Sequence, residues 1–282
     1  MIAIDWGTTS FRAYRLSAEG AVVEERSSAD GILSVKDFPA VLAAQIRGWT
    51  ERPIVMSGMV GSRQGWKEVP YVQCPAGARE LYMHMTEVAP QVWIVPGVSC
   101  VDEAGVPDVM RGEETQILGV LQDLEDDSLV CLPGTHSKWV HVRGDRIVGV
   151  RTYFTGELFS VLKQHSLLGR MMEDGPADES SFAEGIDRSA DEGGLLNHLF
   201  GVRTRGLFGE IGNVQAASYL SGLLIGHELR AIAPKRPFGI LGAPELAARY
   251  ERAAALLGFK ARRLDSLAAP RGLFALIRKT GL

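Results

Sequence analysis

Two short stretches of the sequence repeat the pattern Gly-Thr-x-Ser directly after an apolar run, at residues 7–10 and at residues 134–137. Glycine carries no Cβ, so the successive N–H groups of such a turn can point at one anion, and the threonine and serine hydroxyls add donors. Two turns of this kind could hold a polyphosphate from two sides, although either one alone is compatible with an ordinary hairpin. The repeat predicts a nucleotide-phosphate site made by Gly7, Thr8, Thr9, Ser10, Gly134, Thr135, His136, Ser137 and Lys138.

Two charged residues near these turns have both a chemical and a plain structural interpretation. Asp5 directly precedes the first turn, where a carboxylate beside phosphates could hold a hydrated Mg²⁺. Its alternative role is to cap the hairpin. Lys138, in the second turn, could neutralise a phosphate or be solvated. We predict that Asp5 binds the metal ion and that Lys138 belongs to the phosphate site.

Each turn belongs to a predicted meander of three strands. The predicted strands cover residues 1–5, 11–16, 21–26, 128–132, 139–142 and 146–153. Predicted helices alternate with further strands along the chain, which is typical of the α/β class. Because the two meanders lie far apart in the sequence, we interpret the repeat as a pair of duplicated lobes and not as a solenoid.

The composition narrows the class of protein. The chain has 282 residues, a net charge of −4 and no run of basic residues, so we expect no nucleic-acid partner. Its three cysteines are widely spaced and form no C-x-x-C pair, which favours a reducing compartment over a disulfide framework or a zinc site. The sequence has neither a signal-peptide pattern nor an apolar run of membrane-spanning length. We therefore expect a cytoplasmic protein without a membrane partner, and the oligomeric state, a homo-oligomer included, stays open.

Three stretches resemble the nucleotide motifs of the superfamily that contains sugar kinases, hexokinase, actin and Hsp70. Residues 5–10 resemble its first phosphate motif and residues 132–137 its second. Residues 239–246 resemble its adenosine motif, in which Ala243 stands where a second glycine usually follows Gly242. The resemblance implies an α/β, two-lobed actin-like ATPase (ribonuclease H-like) fold, with each lobe a mixed sheet flanked by helices. It also implies that ATP is bound, with Gly242 and Ala243 at the adenosine.

More narrowly, the sequence resembles the 2-dehydro-3-deoxygalactonokinase family over most of its length. The matching stretches are residues 4–15, 57–76, 110–119, 132–140 and 155–169. The resemblance implies Mg²⁺- and ATP-dependent phosphorylation of the terminal (6-) hydroxyl of 2-dehydro-3-deoxy-D-galactonate, in galactonate catabolism. We expect an N-terminal lobe at residues 1–106 that binds the sugar acid, and a C-terminal lobe at residues 107–282 with the second turn and the adenosine site. The gluco epimer stays open as a substrate, and an actin-like ATP switch or a polyphosphate-cleaving phosphatase would share both turns.

The resemblance also indicates where the catalytic base should lie. In sugar kinases of this superfamily the base is usually an Asp that follows a glycine at the start of a helix, before the second phosphate motif. That place falls here after Gly112, where two glutamates stand instead. We predict that Glu113 accepts the hydroxyl proton, with Glu114 as the second candidate and Asp108 as a third. Acids in a first helical turn are also common because they interact favourably with the helix dipole.

The carboxylate of such a substrate is best bound by an arginine, whose guanidinium can donate two parallel hydrogen bonds to it. Arg63 lies in the glycine-rich stretch of residues 57–66, where the backbone is free to approach a ligand, and the superfamily places its sugar contacts in this lobe. We predict that Arg63 binds the carboxylate, with Arg111 as its rival. The predicted substrate contacts are Ser62, Arg63, Gln64, Trp66 and Arg111.

Overall fold

A computed structural model describes residues 1–265 and 267–278 of the chain. Its strands are β1 (Ile2–Trp6), β2 (Phe11–Leu16), β3 (Val22–Ser28), β4 (Ile54–Ser57), β5 (Val72–Gln73), β6 (Ala76–Gly77), β7 (Thr86–Ala89), β8 (Val92–Ile94), β9 (Val98–Val101), β10 (Pro107–Met110), β11 (Asp127–Leu132), β12 (Ser137–Arg143), β13 (Arg146–Tyr153), β14 (Phe238–Ile240) and β15 (Ala261–Arg263). Its helices are α1 (Phe38–Gln45), α2 (Ala78–Met83), α3 (Glu113–Val120), α4 (Thr155–His165), α5 (Glu179–Arg188), α6 (Gly194–Leu207), α7 (Asn213–Ile232), α8 (Pro244–Leu256) and α9 (Ala268–Arg278).

The described strands form three sheets. Two have six strands each, in the orders β3-β2-β1-β4-β8-β7 and β15-β14-β11-β12-β13-β6, and a small sheet has the order β10-β9-β5. Both predicted meanders are present, because β1, β2 and β3 are neighbours in one large sheet and β11, β12 and β13 are neighbours in the other. Within residues 1–265 and 267–278, no helix is long and apolar enough to span a lipid bilayer.

The chain forms two compact units. Unit 1 comprises residues 1–128 and 140–151 with the described residues from 265 onward, and unit 2 comprises residues 129–139 and 152–264. These units do not coincide with the predicted boundary after residue 106, since residues 107–128 belong to unit 1. That boundary between the lobes stays a prediction.

The core of unit 1 lies around β1, the strand that precedes the first predicted phosphate turn. β1 pairs antiparallel with β2 and parallel with β4, and Ile2, Ile4 and Trp6 are fully buried. All four residues of β4 are buried as well, because this strand lies between β1 and β8 inside the sheet. The ends of β1 and β4 therefore carry their polar residues on a rigid platform.

Helix α3 of unit 1 packs closely against α9. An ideal Cβ on Gly272 of α9 would lie 1.7 Å from the carbonyl oxygen of Thr115, and one on Gly119 of α3 would lie 1.9 Å from that of Ala268. Any side chain at either glycine would therefore push the two helices apart. The position of α3, which carries the predicted base, depends on this contact.

Unit 2 is built around β14 and α7. β14 pairs parallel with both β11 and β15, and its three residues are buried. Helix α7 is buried along most of its length because α4, α5, α6 and α8 all pack against it. The helix is thus buried on more than one side, as its small and apolar residues predict.

Candidate functional site

The first Gly-Thr-x-Ser turn joins β1 to β2 in unit 1. Gly7 N donates to the carbonyl of Ser10 at 2.9 Å, and the carbonyl of Gly7 accepts from Ile32 N at 3.0 Å. The side chains of Thr8 and Thr9 are exposed. The backbone of the turn is therefore fixed from inside the protein, while its two threonines remain accessible to a ligand.

Asp5, the predicted metal ligand, lies opposite Ser57 in the parallel pairing of β1 and β4. Arg12 Nη1 lies 3.5 Å from Asp5 Oδ2, and burial raises the pKa of Asp5 against the opposing charge of that arginine. The described residues contain no cluster of three or more His, Cys, Asp or Glu side chains that could hold a metal ion. A single carboxylate still fits Mg²⁺, which nucleotide sites hold by one or two carboxylates together with water and phosphate oxygens. The metal role of Asp5 stays a prediction.

The two candidate bases begin α3. An ideal Cβ on Gly112, whose φ is 110°, would lie 3.1 Å from Gly58 Cα, so the start of the helix lies against the end of β4. Glu114 is fully buried, and its two carboxyl oxygens accept from Gly112 N at 2.7 and 2.9 Å. Burial, and then the charge of Glu113, raises the pKa of Glu114 to about 8. Glu113 is only half-buried, and its Oε2 accepts from Arg111 N at 3.0 Å. At neutral pH, therefore, Glu114 keeps its proton, and Glu113 is the carboxyl that a ligand can reach.

Arg111 is held by its neighbours in unit 1. Its Nη2 donates to the carbonyl of Val69 at 2.7 Å, and its guanidinium carbon lies 4.2 Å from the centre of the Tyr71 ring. Its Nε and Nη1 atoms are buried without a hydrogen-bond partner among the described residues, and so is Ser62 Oγ. An ideal Cβ on Gly61 would lie 2.9 Å from Nη1, which places this nitrogen beside the backbone that leads to Ser62. Buried donors without a partner suit an anionic group of a ligand.

The glycine-rich loop places its other predicted substrate residues differently. The side chain of Arg63 is 86% exposed, and its Nε lies 2.8 Å from Glu68 Oε1. Gln64 is exposed and Trp66 is half-buried. Ser62, which follows the glycine beside Arg111, is therefore directed into the protein, whereas Arg63 is directed into solvent.

The second Gly-Thr-x-Ser turn joins β11 to β12 in unit 2. His136 is exposed like Thr135 before it, and His136 Nε2 lies 2.5 Å from Glu157 Oε2. Ser137 is fully buried and Lys138 nearly so. Lys138 Nζ donates to Thr152 Oγ1 at 2.8 Å. The first half of this turn is thus accessible, whereas its last residues are engaged inside the protein.

The predicted adenosine motif is the turn between β14 and α8. An ideal Cβ on Gly242 would lie 3.3 Å from the carbonyl oxygen of Pro133, so this turn adjoins the second phosphate turn, and Ala243 directly precedes α8. Unit 2 has a small cleft here, lined among others by Gly134 and by Arg249 of α8. The second Gly-Thr-x-Ser turn and the helix after the predicted adenosine turn therefore border one cleft.

The sequence patterns did not indicate Glu228. This residue lies on α7, is 2% exposed, and accepts a hydrogen bond from Ser137 in the second turn. A signal was present, because Glu228 is the one carboxylate among the mostly apolar residues 219–229, which also include Ser221 and His227. Glutamate is almost never fully buried unless it is paired, so such a position predicts specific partners.

Comparisons with known proteins agree with the resemblance seen in the sequence. A model of the 2-keto-3-deoxy-galactonokinase family matches residues 5–276. The 2-dehydro-3-deoxygalactonokinase of Escherichia coli K12 is 38% identical over 265 residues, which cover 91% of this chain and 90% of that protein. A crystal structure described as a 2-dehydro-3-deoxygalactonokinase protein from Sinorhizobium meliloti has 36% identity and a TM-score of 0.91, covering 100% of this chain and 99% of the other.

A more distant structure shares the fold alone. The activator of the 2-hydroxyisocaproyl-CoA dehydratase from Clostridium difficile, with bound ADPNP, is 12% identical, with a TM-score of 0.53 over 99% of this chain and 94% of the other. The predicted actin-like ATPase fold is confirmed by neighbours of this kind. The family model and the closer relatives match nearly the whole sequence, and the chain therefore belongs to the 2-keto-3-deoxy-galactonokinase family.

Proposed function

We propose that this chain transfers the γ-phosphoryl group of ATP to the 6-hydroxyl of 2-dehydro-3-deoxy-D-galactonate, giving the 6-phosphate and ADP. The observation that carries the proposal is the start of α3, where a half-buried arginine with two buried, unpaired nitrogens precedes a half-buried glutamate in the same unit. A kinase of an acid sugar needs a cation for the carboxylate and a base for the hydroxyl. Residues 111–113 supply both within three positions of the chain.

Arg111 is the better supported of the two candidate carboxylate ligands. Its Nη2 and its guanidinium face are engaged by Val69 and Tyr71, so the orientation of the fork is fixed. Nε and Nη1 are buried without a partner among the described residues and point to different edges of the guanidinium, so a carboxylate would form a bidentate pair with one of them and the second N–H of Nη2. Ser62 Oγ adds a third unpaired donor. Arg63 is exposed and paired with an acid, so its role in binding stays a weaker prediction.

Glu113 is the better supported base. Phosphoryl transfer needs the hydroxyl proton to be accepted as its oxygen attacks the γ-phosphorus, which requires an ionised and reachable carboxylate. Glu114 meets neither requirement, because it is fully buried and its pKa is raised to about 8. We assign Glu114 to holding the first turn of α3 through Gly112 N. Asp108 lies on β10, outside this first turn.

The nucleotide is assigned to the two Gly-Thr-x-Ser turns and to the cleft that borders α8. Thr8 and Thr9 are exposed in the first turn, and Thr135 and His136 are exposed in the second, so all four remain accessible to phosphates. Mg²⁺ would be held by Asp5 and would neutralise charge on the phosphates when bound. Both substrates, the sugar acid and ATP, thus have elements of the fold assigned to them.

A coupled assay of ADP release tests the proposal. The purified protein is given Mg-ATP alone, then with 2-dehydro-3-deoxy-D-galactonate, then with its gluco epimer. We expect release to be nearly silent without a sugar acid and to be stimulated most by the galacto compound. ADP release that is equally fast without any sugar acid would indicate an ATP switch or a phosphatase and would refute the kinase assignment. Stronger stimulation by the gluco epimer would refute the galacto compound as the substrate.

A further inference from the structure

The carboxylate of Glu228 accepts four hydrogen bonds inside unit 2. Ser137 Oγ and Trp139 Nε1 donate to its Oε1 at 2.6 and 2.7 Å. Tyr250 OH donates to its Oε2 at 2.7 Å, and Thr155 Oγ1 donates to the same oxygen. A carboxylate has about four lone-pair positions, so the protein itself fills the capacity of this one. The carboxylate of Glu228 therefore has no acceptor position left for a ligand.

The donors come from the elements that border the nucleotide cleft. Ser137 closes the second phosphate turn, Thr155 begins α4, and Tyr250 lies on α8 after the adenosine turn. The cleft itself is lined by Thr155 and Tyr250. The backbone adds one more link, because Glu157 N in the first turn of α4 donates to the carbonyl of Thr135 at 2.8 Å. One carboxylate thus connects the phosphate turn, α4 and α8.

The direction of these hydrogen bonds is fixed by chemistry. An indole N–H can only donate, so Trp139 directs its proton at Glu228. Burial, and then the charge of Glu228, raises the pKa of Tyr250 well above its ordinary value, so this hydroxyl also keeps its proton and donates. A serine hydroxyl has a single proton, and that of Ser137 points at Glu228 as well. The fully buried Ser137 hydroxyl is therefore not available to donate to a phosphate.

We propose that Glu228 is a positioning residue for ATP, which acts by tethering Ser137 and Thr155 and so fixes the second phosphate turn against α4. Ser137, which the sequence pattern places among the phosphate ligands, then acts as a tether, and the contacts to phosphate come from the accessible first half of the turn. The inference rests on the proposed ATP-dependent activity. Stability alone does not explain a buried carboxylate, since apolar packing often serves stability as well or better. An apolar side chain, however, cannot orient four donors towards one point.

The variant Glu228→Gln tests this role with little change in shape. Its amide oxygen can accept from Ser137 and Trp139, but its NH₂ group faces Thr155 and Tyr250, whose hydroxyls must turn round to accept. We expect the KM for Mg-ATP to rise about tenfold, with the KM for the sugar acid unchanged, because Glu228 holds only elements of the nucleotide cleft. The matched control is Glu184→Gln on α5, an exposed glutamate of the same unit that pairs with Arg205. This control should leave both KM values unchanged.

A double-mutant cycle separates the tether from a direct phosphate ligand. The cycle uses Glu228→Leu, which cannot accept from Ser137: if Ser137 acts through Glu228, the KM for Mg-ATP of Ser137→Ala/Glu228→Leu should equal that of Glu228→Leu alone. Multiplied effects would show that Ser137 contacts the nucleotide by itself and would overturn the proposal. A smaller active fraction with both KM values unchanged would also overturn it, because that result indicates a purely structural role.

Two further variants keep the test decisive if Glu228→Gln does not fold. Thr155→Val and Tyr250→Phe each remove one donor and leave the carboxylate in place. We expect each to raise the KM for Mg-ATP about threefold and to leave that for the sugar acid unchanged. Unchanged KM values in both variants would refute the proposal. The kinase activity is tested separately, by ADP release from the wild type that depends on the sugar acid. A refuted role of Glu228 can therefore be distinguished from a refuted kinase activity.

Discussion

The substitution Glu114→Gln should stabilise the protein, and the gain should grow as the pH rises. Glu114 is fully buried, and burial raises its pKa from an ordinary 4.5 to about 8. Between these two values the folded protein holds a proton that the unfolded chain releases, so stability falls as the pH rises through this window. Glutamine has the shape of the protonated acid and cannot ionise. The variant should therefore not lose stability in this way.

The size of the effect follows from the two pKa values. The stabilisation of the variant relative to the wild type should be about 1 kcal/mol at pH 5, about 3 kcal/mol at pH 7 and about 4 kcal/mol at pH 8. These are upper values, since any relaxation of α3 around the ionised carboxylate would lower them. Turnover at neutral pH should stay within about threefold of the wild type, because the variant resembles the protonated side chain.

Unfolding in urea at several pH values between 5 and 8 measures this difference. Free energies are obtained by linear extrapolation for the wild type, for Glu114→Gln and for a control, Glu103→Gln. Glu103 lies in the exposed turn between β9 and β10, so its variant should follow the wild type at every pH. A difference between Glu114→Gln and the wild type that does not change with pH would refute the reasoning. The same pH trend in Glu103→Gln would refute it as well.

Four further substitutions test the proposed roles in unit 1. Glu113→Gln should lower kcat by about a hundredfold or more with intact substrate binding, and near-normal turnover would exclude Glu113 as the base. Arg111→Lys should raise the KM for the sugar acid about tenfold or more, because lysine cannot form a bidentate pair with a carboxylate. Arg63→Lys should change this KM little. A larger effect of Arg63→Lys than of Arg111→Lys would favour Arg63 as the carboxylate ligand. Asp5→Asn should raise the Mg²⁺ concentration needed for half-maximal turnover about tenfold, and an unchanged Mg²⁺ dependence would remove Asp5 from the metal site.

The sequence is most informative where function depends on a local pattern. Both Gly-Thr-x-Ser turns lie between neighbouring strands, as the alternation of apolar residues around them predicts. The run around Gly242 forms a strand, a turn and a helix although Ala243 replaces the usual glycine. Such features require only the conformations of a few consecutive residues, which is why short patterns predict them.

The surroundings of individual side chains could not be predicted in the same way. Arg63 was the more attractive arginine because glycines surround it, yet it is exposed and pairs with Glu68 only five residues away. Arg111 is half-buried and is held by Val69 and Tyr71, which are some forty residues distant in the sequence. Burial and pairing of this kind arise from tertiary packing, about which a local pattern carries no information.

The contact between α3 and α9 has a consequence for the order in which the protein becomes active. Domains generally fold from the N-terminus as the chain leaves the ribosome. The helix that carries Glu113 lacks its packing partner, however, until all of unit 2 has been synthesised, because α9 follows unit 2 in the chain. A nascent chain that stops before Gly272 has both Gly-Thr-x-Ser turns but an α3 without the helix that packs along it. The proposed base is therefore the last part of the proposed site to be secured, and a partly made chain should not release ADP in response to a sugar acid.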